Sequence, residues 1–159
     1  MNRTARNLWL TLHIVCSVGW LGAVLTSLAL GIAAVVASVA TARSAYVALE
    51  LIGWWILVPL SVASLASGVV QSFVSSWGLV RHYWVLAKLG INLFCVPVLL
   101  LYMQSLGQLA DRAKGSRQAF AADWSPVVHA GIALALLAAA TVLSVLKPPG
   151  RTPWDSPGA

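Results

Sequence analysis

The chain has 159 residues, of which 60% are hydrophobic and 9% are charged. A soluble globular domain carries about 25% charged residues, so this composition excludes an ordinary soluble domain. The net charge of +6 is scattered over the ends and the connecting segments, which argues against a nucleic-acid-binding protein. We expect the lipid bilayer to be the solvent and the main partner of the chain.

Four uncharged runs divide the sequence, over residues 7–42, 51–80, 89–110 and 124–146. Each exceeds the roughly 18 to 20 residues that a helix needs to cross a bilayer core. The sequence therefore predicts an all-α integral membrane protein, in which residues 1–147 form an antiparallel four-helix transmembrane bundle.

The predicted helices cover about residues 8–40, 45–77, 83–109 and 126–146. The first is much longer than the roughly 7 to 15 residues of a signal-peptide core, so we expect it to be retained. Pro59 should kink the second helix. Gly115 and Ser116 indicate a loop after the third. Ser125 should cap the fourth helix, with Pro126 in its first turn.

The segment 148–159 contains four of the seven prolines, a composition that predicts a flexible tail. An even number of spans puts both termini on one side, together with Arg3, Arg6, Arg81, Lys147 and Arg151. The other side would hold Arg43, Arg112, Lys114 and Arg117. This slight excess of positive charge predicts that both termini are cytoplasmic.

Two ionisable side chains are predicted to lie inside the membrane, His13 in the first helix and Lys88 in the third. With a rise of 1.5 Å per residue, they lie roughly 7 Å and 9 Å from the starts of their helices. These helices run parallel in an alternating bundle, so both groups should reach a similar depth. Ionisable groups in hydrocarbon usually face a bundle interior or a functional site.

Polar and small side chains share faces with these two residues at helical spacing. On the first helix they are His13, Cys16, Ser17, Trp20 and Ser27, on the second Ser64, Gly68, Gln71 and Ser75, and on the third Lys88, Asn92 and Cys95. The pattern predicts a polar seam inside the bundle that opens toward the cytoplasmic end.

A neutral imidazole among small residues suits axial ligation of haem iron. We therefore predict that His13 binds the iron of haem b, with Gly19 and Gly22 leaving room for the porphyrin. The other predicted cofactor-binding residues are Arg81 and His82, which would meet the propionates with Lys88, and Trp20 and Gln71 in the seam. The predicted role is redox, with an electron-transfer partner.

A plainer interpretation stays open for each residue. His13 could hydrogen-bond a carbonyl of a neighbouring helix, and Lys88 could extend to the interface. In straight helices His129 is displaced from His13 by roughly 15 Å along the bundle axis. It could serve an outer site with Asp123, Tyr102 or Gln104, or lie at the interface.

Two other functions stay open as well. The chain could be a copper or other metal transport accessory protein that uses His13, Cys16 and His129 as ligands. The scarcity of methionine, present only at positions 1 and 103, counts against a copper(I) relay. The chain could also be a non-catalytic subunit, or a homodimer, that uses small-residue faces such as Gly22 with Thr26.

Three segments carry a resemblance to known membrane proteins: residues 13–22, 67–71 and 77–88. The first resembles the histidine-to-Trp-x-Gly first helix of uncharacterised bacterial four-span proteins allied to the copper-resistance CopD family. The other two are similar to their second and third helices. His13 with Lys88 also resembles the HemJ-type protoporphyrinogen oxidase, a four-span enzyme that binds haem b. That resemblance implies His13 as haem ligand and Lys88 as its catalytic partner in porphyrin oxidation.

Overall fold

The computed structural model describes residues 3–75, 78–115 and 121–153. These residues form four helices that are long and apolar enough to cross a membrane: α1 (Arg3–Val36), α2 (Val39–Val74), α3 (Tyr83–Lys114) and α4 (Ser125–Leu146). Within the described ranges there is no β-strand, only an isolated bridge between His82 and Arg151. The predicted all-α class and the four helices of membrane-spanning length are confirmed.

The turn between α1 and α2 is tighter than predicted. Helix α1 ends at Val36 and α2 begins at Val39, so the expected loop at residues 41–44 is helical. Ser38 caps α2, and its hydroxyl oxygen accepts a hydrogen bond from the Thr41 amide at 3.3 Å. The cap satisfies an amide that has no partner inside the helix, which fixes the start of α2.

Helix α2 contains a π-helical turn at Gly53–Leu57, which ends two residues before Pro59. Proline has no N–H and interrupts the regular hydrogen-bond ladder, and a π-turn absorbs such an irregularity within a continuous helix. Near Pro59, where the sequence predicts a kink, the helix therefore contains a π-helical turn. Gly53 also lies against α3, since a Cβ atom there would be 2.5 Å from Cε of Met103.

The end of α3 and the start of α4 differ from the sequence prediction. Helix α3 continues to Lys114 instead of ending near residue 109, and Ser116 lies outside the described residues. Ser125 does not cap α4. The Asp123 carboxylate accepts the Ser125 amide at 2.7 Å, which leaves the Ser125 hydroxyl to hydrogen-bond that of Tyr102 at 3.1 Å.

Two clusters of buried apolar residues form the core. One joins α1, α2 and α3 and includes Ala34, Tyr46, Leu49 and Met103. The other joins all four helices and includes Trp20, Val24, Leu57, Cys95 and Leu137. Helix α4 contributes least, because its buried residues are limited to Pro126, Leu137 and Ala140.

Residues 148–153 have a defined place in the structure, although the sequence predicts a flexible tail from residue 148. The Thr152 amide donates to the Arg81 carbonyl at 3.0 Å, and its hydroxyl donates to the Val80 carbonyl. Thr152 is buried by these contacts. The segment that follows α4 therefore packs on the connection that precedes α3, while residues 154–159 lie outside the described residues.

The contacts define two ends of the molecule. At the His13 end, the start of α1 lies against the last turns of α2, where His13 meets Gly68. At the Tyr46 end, α2 lies against the start of α4, where the Tyr46 hydroxyl donates to the Asp123 carbonyl at 3.0 Å and accepts from the Asp123 amide at 2.8 Å. Gly31 of α1 packs on α4 at this second end.

Replacement of Tyr46 by Phe should destabilise the protein by about 1–3 kcal/mol, because it leaves both backbone groups of Asp123 without their partner. The check is the midpoint of thermal unfolding in detergent. Tyr83→Phe is the control, since Tyr83 is 57% exposed and should tolerate loss of its hydroxyl. Equal midpoints for the two variants would contradict the assigned role.

Candidate functional site

The His13 side chain is half-buried between α1 and α2. Its Nδ1 atom lies 3.2 Å from the Ser64 carbonyl oxygen and 3.2 Å from the Ser67 hydroxyl oxygen, both on α2. The plainer expectation, a hydrogen bond to a carbonyl of a neighbouring helix, is therefore met. It concerns only one of the two ring nitrogens.

The surroundings of Nδ1 determine where the imidazole carries its proton. The Ser64 carbonyl can only accept, and the Ser67 hydroxyl donates its own proton to the Ala63 carbonyl at 2.6 Å. Both neighbours of Nδ1 are thus acceptors, so Nδ1 carries the hydrogen of the neutral ring. Nε2 keeps its lone pair, which is the state that a metal-binding imidazole requires.

Gly68 allows the imidazole to lie this close to α2. A Cβ atom at Gly68 would be 3.0 Å from Cε1 and 3.4 Å from Nδ1 of His13. Any side chain at this position would push the ring away from its two acceptors. The glycine therefore determines the position of the imidazole.

A row of serines lines the face of α2 that meets α1. Ser61, Ser64 and Ser67 follow one another at intervals of three and are all buried. The Ser64 hydroxyl is 2.8 Å from that of Ser17 on α1, a second polar link between the helices. The predicted polar seam thus includes a real α1–α2 contact. Sequence reasoning missed Ser61 and Ser67, although their regular spacing with Ser64 was a usable signal.

Gln71 lies one helical turn beyond Ser67 on α2. Its side-chain oxygen Oε1 is buried and has no hydrogen-bond partner among the described residues. A buried acceptor without a donor is costly, by about 1–3 kcal/mol. This carbonyl therefore marks a place where a ligand or a water molecule would gain a hydrogen bond.

Lys88 of α3 lies close enough to His13 for an electrostatic interaction between the two side chains. Its ammonium nitrogen is 5.8 Å from the centre of the Trp84 ring, one turn earlier on the same helix. The Asn92 amide nitrogen donates to the Lys88 carbonyl at 2.8 Å, so Asn92 bonds its own helix. Among the described residues no hydrogen bond joins α3 to His13.

The other predicted cofactor-binding residues lie at different depths. His82 immediately precedes α3, and its ring centre is 6.3 Å from that of Trp84. Arg81 is exposed, and its side chain folds over Gly78. Trp20 is 2% exposed in the core, about 10 Å beyond His13 along α1.

The two glycines that were expected to make room for a porphyrin differ in position. Gly19 faces the bundle, since a Cβ atom there would be 3.3 Å from the Leu60 side chain. Gly22 is exposed and has open space around it, so it does not line the seam. The two glycines lie about one turn apart on α1, and Gly19 alone of the two packs against a neighbouring helix.

The other histidine of interest belongs to the Tyr46 end. The Nδ1 atom of His129 is 2.9 Å from the Ser125 carbonyl, and its ring stacks on Tyr102 with 3.9 Å between ring centres. His13 and His129 therefore do not meet. In residues 3–75, 78–115 and 121–153, no group of three or more His, Cys, Asp or Glu side chains could hold a metal ion.

Searches of known protein families, of curated proteins and of solved structures find no match to this chain. The resemblance to CopD-allied proteins and to the HemJ-type oxidase stays a prediction.

Gly68→Ala should destabilise the protein by about 1–3 kcal/mol, because the added methyl group overlaps the His13 ring. Gly90→Ala is the matched control on α3, where a Cβ atom meets nothing within 4 Å. It should raise stability by up to about 1 kcal/mol through helix propensity. Thermal unfolding in detergent measures both changes. If Gly68→Ala is as stable as Gly90→Ala, the close packing of His13 on α2 is wrong.

Proposed function

We propose that the chain is a four-span integral membrane protein that binds one haem b through Nε2 of His13 and has a redox role. The main support for the proposal is that the neutral His13 ring has its hydrogen on Nδ1 and a lone pair on Nε2. Its Nδ1–H points to two acceptors of α2, which orients the ring and leaves Nε2 as a ligand. Histidines that bind metals characteristically donate their other ring N–H in this way.

Haem b suits these residues better than copper does. A haem iron is already held by four porphyrin nitrogens and needs only an axial ligand from the protein. A copper ion bound by protein alone needs several donors together, and the described part of the chain brings no three candidate donors into one group. A single oriented imidazole therefore favours the haem.

The surrounding residues fit the needs of such a group. Arg81 and His82 precede the first turn of α3, nearer the helix end than Lys88, and all three supply cationic or hydrogen-bonding side chains that would meet the propionates. The unpaired Oε1 of Gln71 would accept a hydrogen bond from a water molecule beside the haem. Trp20, which is buried in the core, would provide apolar surface on the side of the haem that faces the middle of the bundle.

A bound haem b supplies one-electron redox chemistry. The protein's part is to hold the imidazole in one orientation, to exclude water with the apolar core and to keep a cation near the site. Electron transfer needs only these elements. In porphyrin oxidation of the HemJ type, Lys88 would in addition be the catalytic residue that binds the substrate's carboxylates or handles its protons.

The proposed surroundings are a bacterial plasma membrane that contains an antiparallel bundle with both termini cytoplasmic. The length and hydropathy of the four helices support insertion. The charge distribution supports the orientation, because Arg3, Arg6 and Lys147 belong to the His13 end and Arg112 and Lys114 to the other.

His13→Ala should abolish the Soret absorbance that we expect for the detergent-purified protein, because the axial ligand is lost. His129→Ala is the matched control and should retain the absorbance, since His129 lies at the Tyr46 end. Oxidised and reduced spectra measure both. Wild-type protein that stays colourless after expression with added iron and porphyrin precursor would overturn the proposal.

Ser67→Ala should weaken haem retention by about 10- to 100-fold without abolishing it, as expected for loss of a group that orients a metal ligand. Transfer of haem to an excess of apomyoglobin measures the loss rate. Ser72→Ala is the control, because the Ser72 hydroxyl bonds the Gly68 carbonyl of its own helix. Equal rates for both variants would show that Ser67 does not orient the ligand.

Single cysteines in a background without Cys16 and Cys95 test the orientation. Ala121→Cys should react with a membrane-impermeant maleimide added to intact spheroplasts, and Arg6→Cys should react only after the membrane is opened. The reverse pattern would place the termini outside. Labelling of both positions in intact spheroplasts would contradict a membrane-spanning bundle.

A further inference from the structure

An apolar cavity of about 210 Å³ lies between α3 and α4, away from the His13 end. All four helices line it, with Trp20 from α1, Leu57 from α2, Phe94 from α3 and Ile132 from α4. Phe94 is 58% exposed and Ile132 is 55% exposed. The cavity therefore opens sideways, through the surface that α3 and α4 present to their surroundings.

A more polar cavity of about 500 Å³ adjoins the apolar one at the Tyr46 end. The two share Val98, Tyr102 and His129 as lining residues. The polar residues of the larger cavity include Ser105, Gln108, Arg112, Asp123 and Ser125. Together the cavities form one site with an apolar half inside the bundle and a polar half at the helix ends.

Hydrogen bonds and ring stacking hold the junction between the two halves. Tyr102 and His129 stack with an angle of 15° between their rings. Ser125 contacts both, since its hydroxyl pairs with Tyr102 and its carbonyl is the partner of His129 Nδ1. These contacts keep the junction in place, while both cavities remain open beside it.

The polar half can bind an acid group. Arg112 is the one lysine or arginine among the described residues that line either cavity, and it makes no hydrogen bond or ion pair with the described part of the chain. Asp123 also lines this half, but one of its carboxylate oxygens accepts the Ser125 amide at the start of α4. A guanidinium group matches the geometry of a phosphate with two parallel hydrogen bonds.

We infer that this site binds a membrane phospholipid, with one acyl chain in the apolar cavity and the phosphate at Arg112. The inference rests on the membrane insertion in the proposed function and not on the haem. The sideways opening favours a lipid over a soluble ligand, because an acyl chain can enter from the bilayer. The residues of α3 that line the apolar cavity run from Phe94 to Leu106, about 18 Å along the helix, which is comparable to the roughly 15 Å of one leaflet's hydrocarbon.

The head-group contact is tested by native mass spectrometry of the detergent-purified protein with two lipids of identical chains. Phosphatidylglycerol carries the phosphate and diacylglycerol does not. Wild-type protein should retain one phosphatidylglycerol with about tenfold higher affinity than diacylglycerol, a difference of about 1.4 kcal/mol. Arg112→Gln should remove this preference. Arg6→Gln, at the His13 end, is the matched control and should keep it.

The chain contact is tested by filling the cavity. Ala133→Phe places a ring in it, because Ala133 is a lining residue, and should abolish retention of phosphatidylglycerol. Ala135→Phe adds the same ring to an exposed position of α4 and should leave retention unchanged. If Ala133→Phe fails to fold by circular dichroism and gel filtration, Ala130→Leu fills the same cavity with less volume.

Equal lipid retention in the cavity-filling variant and in Ala135→Phe would overturn the inference, as would wild-type protein with no preference for the phosphate. The haem proposal has a separate readout in the Soret absorbance. Loss of lipid retention with the absorbance intact, or lipid retention in a colourless protein, identifies which of the two proposals has failed.

Discussion

The contact between the His13 imidazole and α2 determines how this ring is oriented. In an apolar environment a polar group without a partner is costly, so the side of the ring that carries the proton must find acceptors. Helix α2 provides two of them, a backbone carbonyl at Ser64 and a hydroxyl at Ser67. Because Gly68 has no side chain, the ring reaches both. The opposite nitrogen is then left to bind something else.

The same requirement organises the Tyr46 end. The fully buried Tyr46 hydroxyl joins both backbone groups of Asp123, whose carboxylate in turn holds the first amide of α4. Polar links therefore join the helices at both ends, and apolar side chains fill the middle. Since lipid tails are as apolar as leucine, such links and close packing hold helices together in a membrane. The polar residues at both ends thus have a structural role.

The sequence was sufficient to predict four long helices, because uncharged runs of this length have few other stable conformations. It was less informative about their ends. Helix α1 extends back to Arg3 and α3 on to Lys114, since arginine and lysine favour helix as soon as the chain leaves the apolar region. Ser38 caps the start of α2, and the sequence prediction did not include this cap.

The residues around His13 could be predicted where helical spacing alone decides which residues share a face of a helix. His13, Ser17, Ser64 and Gly68 do meet, because residues three and four apart share one side of a helix. The rotation of each helix about its axis is set by packing and cannot be derived from one sequence. Gly22 consequently turned out to be exposed.

Among the described residues, polar side chains of α4 bond a neighbouring helix only near its start. The side chains at its start bond outward, as Ser125 does with Tyr102. Further along, the Thr141 and Ser144 hydroxyls bond the Leu137 and Ala140 carbonyls of their own helix. Beyond its first turns α4 is therefore held by side-chain packing alone, as far as the described residues extend. The apolar cavity lies along this part of the boundary between α3 and α4.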